Sequence, residues 1–237
     1  MATIKELQAE VCFYQKKLHE SKLAPLNWGN CSIFNRELGV IVIKPSGVYP
    51  DFMQPEDMVV VDISGAVLEG ALKPSSDLAT HLEIYRAFSE VSAVVHTHSK
   101  YATLFAQAKK SIPCFGTTHA DVFKGDVGVT RSLREDEVNS NYEKNTGSVI
   151  IEHYKNDGID PLDNPGILVA CHGPFVWGEN LQKTFNTAFT LEYIAEMALH
   201  AIQLNENIVS IPNYLSNKHY TRKHGTDSYY GQLAKKM

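Results

Sequence analysis

Cysteine is scarce in this chain. Cys12, Cys31, Cys114 and Cys171 are its four cysteines, widely spaced and with no C-x-x-C pair among them. That pattern predicts no disulfide and suits reduced thiols buried in apolar surroundings. Long apolar runs are also missing, and the charged opening Met-Ala-Thr-Ile-Lys-Glu lacks the apolar stretch of a signal peptide. A cytoplasmic protein with no membrane partner is expected. There is no basic cluster either: 22 Lys and Arg stand against 27 Asp and Glu, for a net charge of −5, and the basic residues are scattered. Nucleic acid and anionic membrane surfaces lose their electrostatic warrant, which leaves small-molecule chemistry. No repeat, low-complexity tract or flexible linker divides the 237 residues, so residues 1–237 are expected to form one α/β domain.

What is present alternates between helical and extended patterns. Ile4, Leu7, Val11, Tyr14 and Leu18 recur every three or four residues and predict an amphipathic helix ending near Ser21. Short β-branched runs bounded by Gly, Pro or Asp follow: 30–34, 39–43, 58–63 and a hairpin-like 66–69. Ser75 and Ser76 are expected to cap a helix over 77–88, and Ser99 one running to Ala108. Residues 112–119 read as extended, with a polar loop to about Asn145, and Ser148–Glu152 begins a helix or a strand that periodicity does not separate. The run 166–171 is an apolar strand with its hairpin partner at 175–178. Helices are predicted over 181–204 and 213–224.

The strand-like run Val91–Val95 ends in His96-Thr97-His98. Side chains alternate along a strand, so the two imidazoles share a face and stand close enough to hold one ion. His172 follows a second core strand, just before Gly173-Pro174. Three imidazoles at neighbouring strand ends leave a divalent metal an open coordination position, an arrangement for Lewis-acid catalysis rather than structural zinc. Adjacent strand residues face opposite ways, so Cys171 is expected to be buried.

Seven motifs then occur in one order: Leu26-Asn-Trp-Gly-Asn-Cys-Ser; Lys44-Pro-Ser46-Gly47; Lys73-Pro-Ser75-Ser76-Asp77 with His81; His96-Thr-His98-Ser; Gly116-Thr117-Thr118-His119-Ala-Asp121; His172-Gly-Pro-Phe; and Asn217-Lys-His219-Tyr220-x-Arg222-Lys-His224 with Tyr229-Tyr230-Gly231-Gln232. Together they resemble the class II aldolase superfamily, and within it the L-ribulose-5-phosphate 4-epimerases, from about residue 24 to 232. The resemblance implies a three-layer fold with a central, mainly antiparallel sheet flanked by helices. It implies inversion of L-ribulose 5-phosphate at C4 to D-xylulose 5-phosphate. C4 carries no acidic proton, so the C3–C4 bond breaks to the enediolate of dihydroxyacetone and glycolaldehyde phosphate, which turns its other face and is attacked again.

By the same resemblance His96, His98 and His172 hold one divalent metal per subunit, with Asp77 as fourth or conditional ligand. Zn2+ is expected, and Mn2+ or Co2+ could substitute. Asn30, Lys44, Ser46, Gly47, Ser75 and Ser76 are expected to cradle the phosphate. The acid and base are Asp121 and Tyr230 from a neighbouring subunit of a homotetramer, with Thr117, Glu143, His219 and Arg222 as positioning residues. His81 and His119 are not expected to ligate; a hydrogen bond from His81 to a ligand is. Two alternatives stay open: a sugar-phosphate aldolase of the L-fuculose- or L-rhamnulose-phosphate type, the fuculose enzymes having a glutamate after the Pro-Ser-Ser that here precedes Asp77, and a non-catalytic metal-binding scaffold. Asp121 also reads as a loop cap, Glu143 as a surface charge and Tyr229-Tyr230 as packing.

Overall fold

The structure, a computed structural model, describes residues 2–224. It opens with α1 (Ile4–Glu20), whose start is closed by a reciprocal pair: Thr3 accepts from the Glu6 amide and Glu6 accepts from the Thr3 amide. A meander of β1 (Asn30–Asn35), β2 (Val40–Ile43), β3 (Val59–Asp62) and β4 (Val67–Glu69) follows. Next come α2 (Leu78–Ala87), β5 (Ala93–His96), α3 (Lys100–Ala108) and two short helices, α4 (Thr117–Ala120) and α5 (Glu135–Val138). The chain continues through α6 (Tyr142–Asp157), the hairpin of β6 (Gly166–Leu168) and β7 (Pro174–Gly178), α7 (Leu181–Leu204) and α8 (Asn213–His224).

The strands form one seven-stranded sheet in the order β4-β3-β2-β1-β5-β7-β6, and every ladder in it is antiparallel. Both faces are covered, which explains the β-branched runs in the inner strands. Cys31, Ile33, Ala93 and Val95 face a core built with α1, α3 and α7. Phe34, Val94, Phe175 and Trp177 face a second core built with α2 and α6. The expected three-layer α/β architecture is therefore the observed one.

Four local expectations are corrected. Ser75 and Ser76 do not cap α2; Asp77 occupies the cap position and makes no capping bond, because its carboxylate accepts from Asn30 instead. Residues 117–119, read as extended, belong to the short helix α4, and α6 begins at Tyr142 rather than near Ser148. Gly147 breaks the helical pattern in α6 for a packing reason: a Cβ there would stand 2.6 Å from Glu83 Cβ on α2. Cys171 is exposed, not buried, since β6 has already ended and the chain turns through a left-handed Cys171 (φ 63°). Cys12, Cys31 and Cys114 are buried and all four thiols are free. No helix among the described residues is long and apolar enough to cross a membrane.

Candidate functional site

Register builds the site. Asn30 on β1 lies directly opposite His96 on β5, and His96 lies opposite Phe175 on β7. Side chains at one register level of a sheet share a face, so Asn30 and His96 both point toward the start of α2. The His96 ring stacks on Phe175, centroids 4.1 Å apart. The turn before β7 delivers His172 to the same corner, and His98 arrives two residues beyond His96. The ligand atoms of His96, His98 and His172 all lie within 4.8 Å of one another.

The protonation of the corner follows from its partners. His96 Nδ1 donates to the Pro174 carbonyl at 3.0 Å, which leaves the Nε2 lone pair facing His98 Nε2 at 3.1 Å. Burial holds His96 at about 3 and also lowers His98 and His172, so the imidazoles are neutral near pH 7. Asp77 Oδ2 accepts from Asn30 Nδ2 at 2.6 Å and stands 3.9 Å from His96 Nε2. Burial works to raise the Asp77 pKa, but His96, His81 and the Asn30 bond outweigh it and keep the carboxyl below the usual range. Asn30 Oδ1 is buried with no donor. The corner thus gathers neutral nitrogens, a carboxylate and an orphaned amide oxygen, a donor set that fits a divalent metal ion.

His81 is fully buried on α2. Its Nδ1 pairs with Ser32 Oγ at 2.7 Å, and Ser32 Oγ also meets Tyr85 Oη at 2.7 Å. The expected bond from His81 to Asp77 is not formed; His81 Nε2 has no partner. His119 Nε2 donates to the Gly125 carbonyl at 2.8 Å, a turn-closing role away from the cluster.

Beside the imidazoles opens a cleft of about 310 Å³. It is walled by Asn30, Lys44, Ser46, Gly47, Ser75 and Ser76, all six residues singled out for phosphate, together with Asp77, His98, Glu143 and His172. The two Pro-Ser turns are clasped: Ser46 N donates to Lys73 O at 2.9 Å and Ser75 N donates to Lys44 O at 3.0 Å. These two amides are spent on the clasp. Gly47, at φ 73°, takes the left-handed turn that glycine tolerates best. Lys44 is buried, and its ammonium donates to the carbonyls of Asn27 (2.6 Å) and Gly29 (3.2 Å). Burial pushes Lys44 down to about 8, against the pull of Cys31 and Asp77.

Asp121, Thr117, His219 and Arg222 do not line this cleft. Asp121 follows α4 and is clamped by α8: Arg222 donates to both carboxylate oxygens at 2.9 Å, His219 Nδ1 lies at 3.0 Å and Lys223 Nζ at 3.3 Å. Burial raises the Asp121 pKa, yet the Arg222 and His219 bonds leave it lowered. The group borders a different cavity, of about 730 Å³, with Asp163, Trp177 and Tyr220. Tyr230 lies outside the described residues.

Four cleft residues lie outside the sequence reading: Asn27, Trp28 and Gly29 belong to a motif but carry no assigned role, and Tyr142 falls in what reads as a polar loop. Tyr142 Oη lies 3.5 Å from His172 Nδ1, and burial raises its pKa. No local signal marks it, because the start of α6 is itself not legible in the sequence.

A family model described as Class II Aldolase and Adducin N-terminal domain matches residues 9–199. Among solved structures, an L-fuculose 1-phosphate aldolase is 28% identical, with a TM-score of 0.77 over 92% of this chain and 96% of its own. YgbL from Escherichia coli, an aldolase/epimerase/decarboxylase candidate, is 25% identical with a TM-score of 0.71 over 91% of this chain and 98% of that one. The L-fuculose 1-phosphate aldolase from Glaciozyma antarctica PI12 is 17% identical with a TM-score of 0.74, over 93% of this chain and 84% of its own, a likeness of fold. The sheet, its layers and the family match agree: this chain belongs to the class II aldolase and adducin family.

Proposed function

We propose that residues 1–237 form one metal-dependent catalytic domain that epimerises L-ribulose 5-phosphate to D-xylulose 5-phosphate at C4. The carrying observation is the convergence of His96, His98 and His172 beside a cleft walled by two clasped Pro-Ser turns. His96, His98 and His172 would hold one divalent ion, Zn2+ in this reading, with Asp77 as fourth or conditional ligand. The ion supplies Lewis-acid stabilisation of the negative charge that builds next to the ketone as the C3–C4 bond breaks.

The protein's own groups do the rest. Hydroxyls of Ser46, Ser75 and Ser76 and the turn at Gly47 take the phosphate, while Lys44 braces the neighbouring strand end and adds positive charge to the wall. Asn30 holds the Asp77 carboxylate in place. A proton must leave the C4 hydroxyl as the aldehyde forms and return to the oxygen after the other aldehyde face is attacked. Asp121 and Tyr230 of a neighbouring subunit are assigned these two transfers. Thr117, Glu143, His219 and Arg222 are assigned to positioning, in a cytoplasmic homotetramer. Asp121 stands apart from its own chain's cleft, which supports a site shared between copies.

A second reading, a sugar-phosphate aldolase, draws support from the 28% likeness to L-fuculose 1-phosphate aldolase. Following L-ribulose 5-phosphate by NMR with metal-replete protein separates them. D-xylulose 5-phosphate, lost with a chelator and in His98→Ala, is the expected product. Free dihydroxyacetone and glycolaldehyde phosphate without xylulose phosphate would make the protein an aldolase.

A further inference from the structure

Trp28 is held firmly by its backbone and left half exposed, at 50%, by its side chain. Its amide donates to the Pro25 carbonyl at 3.1 Å. The buried Lys44 ammonium ties the carbonyls on both sides of it, those of Asn27 and Gly29, and Gln15 Nε2 donates to Gly29 O as well. Gly29 lies so close to β5 that a Cβ would stand 2.7 Å from the His96 carbonyl oxygen. Leu26, at φ 57°, is in the left-handed region that a non-glycine residue adopts at a cost. A buried cation, a glycine contact and a strained leucine together fix a residue whose ring packs into neither core. Packing therefore does not explain the placement.

The ring borders the cleft next to His98, with centroids 6.0 Å apart and planes at 50°. At that tilt the imidazole does not stack on the indole, and a face remains for another group. Apart from Tyr142, the other side chains walling the cleft are polar. A polyhydroxylated chain carries hydroxyls along one edge and C–H bonds along another. Polar walls hold the first edge; only an aromatic face offers dispersion contact to the second.

We propose that Trp28 contacts the substrate directly, its indole packing on the C–H edge of a phosphorylated sugar and selecting for a carbon chain attached to the phosphate. This rests on the sugar-phosphate reading of the cleft. The residue acts in binding, so its loss is expected to appear in affinity and KM more than in kcat.

The chain has two tryptophans, and Trp177 is fully buried, so acrylamide quenching of the free protein reports on Trp28. The probes are a pentitol 5-phosphate, which has no carbonyl and does not react, and inorganic phosphate, each titrated calorimetrically into zinc-loaded full-length protein. The pentitol phosphate is expected to shield Trp28 from acrylamide while phosphate alone does not. Trp28→Ala should weaken pentitol phosphate binding roughly tenfold with phosphate affinity unchanged, and Trp28→Phe should restore most of it. Pentitol phosphate binding without shielding, equal shielding by both probes, or undiminished affinity in Trp28→Ala would each overturn the proposal. So would an emission that acrylamide cannot reach without ligand, which would put the indole in an interface between copies. Failure of both phosphorylated probes to bind the wild-type protein would instead bring down the reading of the cleft, and this proposal with it.

Discussion

At the corner of His96, His98 and His172 acceptors outnumber donors, whereas around Asp121 the donors outnumber acceptors. The first group presents neutral imidazole nitrogens, the Asp77 carboxylate and an unsatisfied Asn30 oxygen. The second surrounds one carboxylate with Arg222, His219 and Lys223. A corner short of positive charge has the donor set that a cation requires. A carboxylate already compensated within its own chain needs no such partner; it is held in a fixed place and kept ionised. In the proposed function, the contrast separates a metal-holding corner from a group whose chemistry is exercised on another copy's substrate.

The largest effect should come from breaking the acceptor-rich corner. His98→Ala removes a proposed ligand, and turnover should fall at least about a thousandfold, with zinc retention in a chelator competition falling alongside. Asp121→Ala should reduce turnover nearly as far while leaving zinc retention at the wild-type level. Mixed with His98→Ala into hybrid oligomers, it should recover part of the activity, because each hybrid holds an intact pairing across copies. Hybrids that form, by mass spectrometry, and stay inactive would refute the shared site.

A smaller change sharpens the cleft side of the comparison. Ser76→Ala deletes a hydroxyl that walls the cleft outside the Lys44–Lys73 clasp, and KM should rise by roughly tenfold with kcat nearly constant. Steady-state kinetics across a phosphate-competition series checks it.

The smallest effect concerns stability rather than turnover. Burial lowers His119 to about 4 despite the Gly125 carbonyl bond. The unfolded chain binds that proton near pH 6.5, the native one only near 4. The native state's advantage is therefore full above about 6.5 and is lost as pH falls toward 4, at up to ~1.4 kcal/mol per pH unit. Urea unfolding of metal-free protein at several pH values should show this dependence together with that of the other buried imidazoles, and His119→Gln, which can still donate to Gly125, should make it shallower. An unchanged slope in the variant would assign the dependence to other groups.

The parts of the fold legible in the sequence were those with a local cause. β-branched runs between turn formers announce β1, β2, β3 and β5, and spacings of three and four announce α1 and α7. The start of α6 was not legible, because Gly147 serves contact with α2 rather than helix propensity. Cys171 was misread because strand alternation was carried past the end of β6 into a left-handed turn. At the site, the H-x-H is legible from strand phase and His172 from its place before the Gly173-Pro174 turn, and the three imidazoles do cluster. Trp28 carried a motif without a role and Tyr142 carried no signal, since what makes each notable is a neighbour distant in sequence.

The sequence by itself determined which residues alternate toward which face, where turns must fall, and which residue types bring imidazole, carboxylate and hydroxyl chemistry to the strand ends. Only the tertiary structure decided what meets what. The antiparallel register of β1, β5 and β7 sets Asn30, His96 and Phe175 side by side. The Lys44–Lys73 clasp joins two turns far apart in the chain, and α8 closes on Asp121 away from the cleft. The reason is physical: periodicity and turn chemistry act over a few residues, whereas hydrogen-bond register, close packing and ion pairing are settled among segments that meet only once the chain has folded.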